Sequence, residues 1–76
     1  MTIDINEWYG VTIKHGEKIG PRRFQAHATI FRRDNFESIE EFFVEGRAMT
    51  SADSNALAEA RRKVTDLGEP SSWNSK

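Results

Sequence analysis

The sequence predicts an α+β fold, a two-layer sandwich in which one C-terminal helix covers a three-stranded antiparallel meander (β-β-β-α). Three observations predict it. Apolar and polar residues alternate over residues 3–13, they alternate again over 24–31, and apolar residues recur at helical spacing over 56–67. The predicted domain spans residues 1–68, and the Ser-rich segment 69–76 is expected to be a flexible tail.

The first strand is predicted to run to about His15, because apolar residues recur at odd positions and polar residues at even ones, with Trp8 as the exception among the even positions. The apolar odd positions are Ile3, Ile5, Tyr9, Val11 and Ile13. Segment 15–21 contains two glycines and a proline, so it is expected to form the following turn. The second strand alternates in the opposite parity, and the third covers residues 39–47. Residues predicted to face the helix are Tyr9, Val11, Ile13, Phe24, Ala26, Ala28, Ile30, Phe42 and Val44.

The helix is predicted from a capping box and an apolar stripe. Thr50 stands three residues before Asp53, the spacing at which a hydroxyl cap and a carboxylate satisfy N-terminal N–H groups. Gly68 is expected to end the helix, and Pro70 prevents it from resuming. The predicted stripe consists of Ala56, Leu57, Ala60, Val64 and Leu67.

The sheet face opposite the helix is the candidate functional surface. Large aromatic side chains on an uncovered face form an apolar patch, and such patches usually mark a contact surface. The sequence therefore predicts contact with a protein partner or a second copy of the chain. One alternative is that the tail folds back and Trp73 covers the patch, and another is that the rings only support cross-strand pairing. The predicted contact residues are Trp8, Gln25, His27, Phe31 and Phe43.

Composition excludes several classes of function. The chain has 76 residues and no cysteine, so a disulfide framework and a thiolate metal site are excluded. Neither His15 nor His27 has carboxylates at ligand spacing, and no glycine-rich phosphate loop occurs. A net charge of −1 gives no general attraction to nucleic acid or membranes. We expect a non-enzymatic, cytoplasmic protein without cofactor, metal or signal peptide.

Charged residues are expected to pair with one another. Opposite charges at helical spacings of three and four neutralise the basic run 61–63 through Glu59 and Asp66. An acidic cluster around the third strand is expected to face the arginines of its neighbour and to discourage pairing at the sheet edge. It consists of Glu37, Glu40, Glu41 and Glu45.

Residues 8–67 resemble the later part of a double-stranded-RNA-binding domain. The segment 20–24 (GPRRF) is similar to that family's hairpin and second-strand entry, and 46–51 (GRAMTS) to its glycine-to-helix junction. That resemblance implies a β-β-β-α order and an RNA-binding module, which is the alternative function. Two features depart from the family. Its first helix has no counterpart, and residues 52–55 (ADSN) replace its phosphate-binding lysines.

The same order of elements, with a Thr-Ser helix start and an alanine-rich helix, is also similar to HicB-type antitoxins and other small bacterial domains. HicB-like domains bind a toxin partner and lack a catalytic centre. This resemblance implies a protein-binding role, in agreement with the candidate surface.

Overall fold

The computed structural model describes residues 1–70, apart from the side chain of His15. In this range four strands form one antiparallel sheet in the order β1-β2-β3-β4, followed by helix α1. The α+β class, with consecutive antiparallel strands and a C-terminal helix, is confirmed, but the expected number of three strands is wrong. The bounds are β1 Thr2–Asp4, β2 Tyr9–Gly20, β3 Arg23–Arg32, β4 Ser38–Gly46 and α1 Met49–Leu67. Residues 71–76, and with them the predicted covering role of Trp73, lie outside the described range.

The extra strand arises because the predicted first strand is folded into a hairpin. Asn6 Oδ1 accepts hydrogen bonds from the backbone N–H groups of Trp8 (2.8 Å) and Tyr9 (2.9 Å), which turns the chain between β1 and β2. Ile3 then pairs with Val11, so odd-numbered residues of β1 lie opposite odd-numbered residues of β2. The alternation of apolar residues therefore continues across the turn, and one strand and a hairpin give the same pattern.

The β2–β3 hairpin is longer than expected. Instead of ending near His15, β2 continues to Gly20, and Pro21 and Arg22 alone form the loop. Arg22 has a φ of 55°, and a proline followed by a positive φ is typical of a type II turn. Two register shifts, between His15 and Lys18 and between Lys18 and Gly20, absorb the extra residues of β2 as bulges.

The hydrophobic core lies between the sheet and α1, as the strand parities predict. All nine residues assigned to the helix side either belong to the buried core cluster or pack against it. Alanines meet at the centre: Ala26 and Ala28 on β3, and Ala52, Ala56 and Ala60 on α1, have no exposed surface. Because these side chains are small, the helix approaches the sheet closely.

The predicted helix start is wrong by two residues. Ala48 is the N-cap, no side chain caps the helix, and Thr50 is already helical. A Cβ at Gly46 would overlap the backbone N of Ala52, so the end of β4 packs directly on the first helical turn. This close approach positions the helix start without a capping box. The predicted end is confirmed, because Gly68 takes a φ of 66° and donates its N–H to the carbonyl of Val64 at 3.1 Å.

Candidate functional site

The candidate site is the sheet face opposite α1, called here the open face. Its side chains form rows across the strands because partners in an antiparallel sheet stand side by side on one face. One row joins Lys14, His27 and Phe43, and a second runs from Thr2 through Thr12 and Thr29 to Glu41. A third row pairs Gln25 with Glu45.

An aromatic stack joins β3 and the edge strand β4 on the open face. The rings of His27 and Phe43 lie 4.7 Å apart between centroids with an interplanar angle of 21°. Glu41 Oε1 lies 3.9 Å from His27 Nε2, so a carboxylate flanks the imidazole. Phe43 remains 62% exposed, although it is one of the largest apolar side chains of the sheet. The structure thus brings together two of the five predicted contact residues.

Phe31 also belongs to the open face, but it is buried by its own neighbours. A Cβ on Gly10, its partner on β2, would lie 2.5 Å from Phe31 Cζ, so the ring covers the glycine. Phe36 contacts the same ring, with centroids 5.9 Å apart, and Phe31 is left 8% exposed. The ring that a partner would meet here is Phe36, which is 75% exposed.

The other predicted contact residues have separate positions. Trp8 lies in the turn before β2 and packs against the buried core cluster, so its placement on the open face is wrong. The cause is the turn at Asn6, which interrupts the alternation of a single strand. Gln25 lies opposite Glu45 in the sheet register, and Glu45 forms an ion pair with Arg23 at 3.0 Å.

Phe36 is an exposed aromatic residue beside the open face that the sequence pattern does not identify. It lies in the loop between β3 and β4, where no periodicity indicates a face. Its φ of 58° is in the left-handed region, which is costly for a bulky side chain. The backbone N–H of Phe36 donates to the carbonyl of Arg32 at 2.8 Å, which holds this conformation. The available sequence signal is one aromatic residue within an otherwise polar loop.

Many charged residues of the sheet and of α1 lie close to a residue of opposite charge. A hydrogen bond from Arg32 lowers the pKa of Asp34, and one from Arg62 lowers the pKa of Glu59. Lys63 lies 3.3 Å from Glu40 and also reaches Glu59 at 4.0 Å. The prediction that the basic run 61–63 is neutralised is therefore confirmed for Arg62 and Lys63. The acidic cluster pairs more widely than expected, with α1 and His27 as well as with Arg23.

A concave region separate from the open-face stack lies between the β2–β3 loop and the start of α1. Arg22, Arg23 and Arg47 line it, together with Ser51 and Asn55. Glu45 pairs with Arg23, and Asn55 donates its side-chain N–H to the carbonyl of Glu45 at 2.9 Å. The region is basic and can attract an anion, although one carboxylate offsets part of its charge.

Within residues 1–70, no three histidine or carboxylate side chains are placed to hold a metal ion. The described part also contains no helix long and apolar enough to span a bilayer. Comparison with protein-family models, curated proteins and solved structures finds no match for this chain.

Proposed function

We propose that this chain is a small non-enzymatic binding module that contacts a protein partner, or a second copy of itself, through the open face. The observation that carries the proposal is the exposed ring of Phe43 on β4, stacked on His27 of β3. Such a ring gains about 2 kcal/mol when it is removed from water, so a contact that covers it is favourable. The proposal includes the cytoplasmic location expected from the sequence.

The backbone at Phe36 supports the same interpretation. A left-handed conformation costs a residue with a Cβ about 1–2 kcal/mol, and glycine or asparagine avoids most of that cost. Here a phenylalanine with a φ of 58° holds a ring that is 75% exposed. One side of this ring packs on Phe31, and a bound partner would bury the remaining exposed surface. The resemblance to HicB-type antitoxins, which bind a protein partner, agrees with this role.

A photo-crosslinking experiment tests the open face directly. Phe43 is replaced by a benzophenone derivative of phenylalanine, and the protein is irradiated in lysate and in purified form. We expect covalent adducts from position 43, because a partner that covers the ring lies within reach. The matched control is the same derivative at Leu67, an exposed apolar residue on α1 that is 42% accessible.

The mass of the adduct distinguishes the two kinds of partner. An adduct of twice the chain mass indicates a second copy, and any other mass indicates a different protein. Substitution of Phe36 by Asn should reduce the yield at position 43, and asparagine tolerates the left-handed backbone. Because Phe36 also covers Phe31, thermal unfolding of this variant checks that it remains folded. If position 43 gives no more adduct than position 67, the proposal is wrong.

Nucleic-acid binding is the second candidate function, and the three arginines near the start of α1 favour it. The net charge of −1 and the pairing of Glu45 with Arg23 weigh against it. We therefore expect no tight binding of double-stranded RNA at physiological salt.

A gel shift with RNA at several salt concentrations tests this candidate. Submicromolar binding that weakens steeply with salt would favour RNA over a protein partner. Arg47→Gln should then reduce the slope of log affinity against log salt concentration by about one, which corresponds to the loss of one phosphate contact. Arg62→Gln, on the neutralised part of α1, serves as the control.

A further inference from the structure

We propose that a second copy of this chain covers the open face, in a two-fold symmetric dimer that places β2 of one copy over β4 of the other. This inference rests on the proposed function, because it uses the same face, and it identifies the occupant. Its basis is the distribution of charge across the sheet. Lys14 on β2 is exposed, and Glu41 on β4 has a side chain that is 63% exposed.

The opposite charges lie at opposite sides of the face. Lys14 and Glu41 belong to strands on either side of β3, which separates them by about 10 Å at the usual strand spacing. Lys14 forms no ion pair with any residue in the described range. One side of the face thus carries an unmatched cation, and the other carries a carboxylate next to an exposed ring.

Opposite charges of the two copies meet if the two-fold axis runs parallel to the strands and passes over β3. This rotation places β2 of each copy above β4 of the other. Lys14 of one copy then lies above Phe43 and Glu41 of the second, and the same contact occurs twice. An ammonium group beside a carboxylate is favourable, and the aliphatic part of the Lys14 side chain can cover the outward edge of the Phe43 ring. A two-fold axis that lies in the plane of the sheet but runs across the strands would instead place β2 over β2. Lys14 would then lie near Lys14 of the second copy, and the two like charges would repel.

The size of the face agrees with a weak dimer. Three strands about 5 Å apart and eight residues long cover roughly 400 Å² on each copy. Burying both faces removes roughly 800 Å² from water, less than a standard stable interface. The dimer is therefore expected to dissociate in the micromolar range or above. Pairing of two β4 edges is disfavoured, because Glu40, Glu41 and Glu45 would meet the same residues of the second strand.

Charge reversal in separate chains tests the arrangement. Lys14→Glu places a new carboxylate opposite Glu41 of the second copy. Glu41→Lys places a new ammonium group opposite Lys14 of the second copy. Each variant alone should dimerise at least tenfold more weakly than the wild type in sedimentation equilibrium, since symmetry repeats the repulsion. An equimolar mixture should dimerise again, because both contacts then join opposite charges. The double variant Lys14→Glu/Glu41→Lys should also regain dimerisation, and circular dichroism checks that all variants fold.

Every outcome bears on the proposal. Recovery in the mixture and in the double variant supports it. It is overturned if the wild type stays monomeric up to about 1 mM, a concentration that would reveal micromolar dimers. Single variants that dimerise like the wild type, or a mixture that stays monomeric, also overturn it. A monomeric wild type that still gives adducts of another mass at position 43 refutes only the second copy. Absence of adducts at position 43 refutes the proposed function itself.

Discussion

The two faces of this sheet use the same kinds of residue in opposite ways. On the covered face, small and β-branched side chains fill the space below α1, and Val11, Ile13 and Ile30 are almost completely buried. On the open face, Phe31 and Phe43 stand beside threonines and charged groups, and Phe43 remains mostly exposed. Large rings also lie on the covered face, where Tyr9 and Phe42 belong to the core or pack against it. An aromatic side chain by itself therefore does not identify the core here. Stability is expected to depend on the covered face, and binding on the open face.

The largest effect is expected from Ile30→Ala, which removes a fully buried side chain between β3 and α1. Loss of buried methyl groups and the resulting cavity should lower the free energy of unfolding by about 3 kcal/mol. Thr29→Ala, one residue earlier on the open face, should change it by less than about 0.5 kcal/mol. Urea denaturation of both variants measures the difference. Equal losses would contradict the assignment of the two faces.

Phe31 is expected to be an exception to this division, because it lies on the open face and also contributes to stability. It points to the open side, but Gly10 and Phe36 bury it to 8% exposure. Phe31→Ala should therefore lower the free energy of unfolding by about 2 kcal/mol, as for a buried ring, and also weaken binding. Thermal unfolding of the variant checks this expectation. A loss below about 0.5 kcal/mol would show that the cover provided by Phe36 has little energetic weight.

The neighbours Phe42 and Phe43 give the sharpest comparison, since they are the same residue type on opposite faces. Phe42 packs against the core, and Lys63 Nζ lies 5.3 Å from the centroid of its ring. Phe42→Ser should lower the free energy of unfolding by about 1–2 kcal/mol, and Phe43→Ser by a few tenths. The order should reverse for dimerisation measured by sedimentation equilibrium, which Phe43→Ser should abolish and Phe42→Ser should leave intact in the folded fraction. If both variants lose stability equally, Phe43 belongs to the core.

The smallest effect is expected from Thr50→Ala. Thr50 is exposed and lies inside the first turn of α1, where no side chain caps the helix. Alanine has the higher helix propensity, so the melting temperature should stay the same or rise slightly, by the equivalent of about 0.5 kcal/mol. A loss of about 1 kcal/mol would instead show that Thr50 caps the helix in solution.

Much of the covered face could be predicted from the sequence, because burial on one side imposes periods of two and of about four residues. The strand count could not be predicted in the same way. Ile3 and Val11 keep their parity on both sides of the Asn6 turn, so the pattern does not reveal the hairpin.

The candidate site was predictable only where it lies on regular strands. His27 and Phe43 follow the alternation of β3 and β4, and they meet as expected on the open face. Trp8 and Phe36 lie in irregular segments, where side-chain direction depends on backbone turns and hydrogen bonds that carry no periodic signal. The helix start was misplaced for a related reason. The helix begins after Ala48 without a side-chain cap, and the close packing of Gly46 on Ala52 near this start carries no capping pattern in the sequence.

The bulges of β2 have a consequence for polymer growth. Beyond Ile13, β2 has no strand on its outer side in the described range, and both register shifts fall in that stretch. Lys14 and Lys18 on that strand would attract the glutamates on β4 of another molecule, and such head-to-tail addition could continue without limit. A bulged strand offers irregular hydrogen-bond spacing, so a regular strand cannot add to it. One distorted strand is enough to stop such a fibre, because every added molecule would need that same edge.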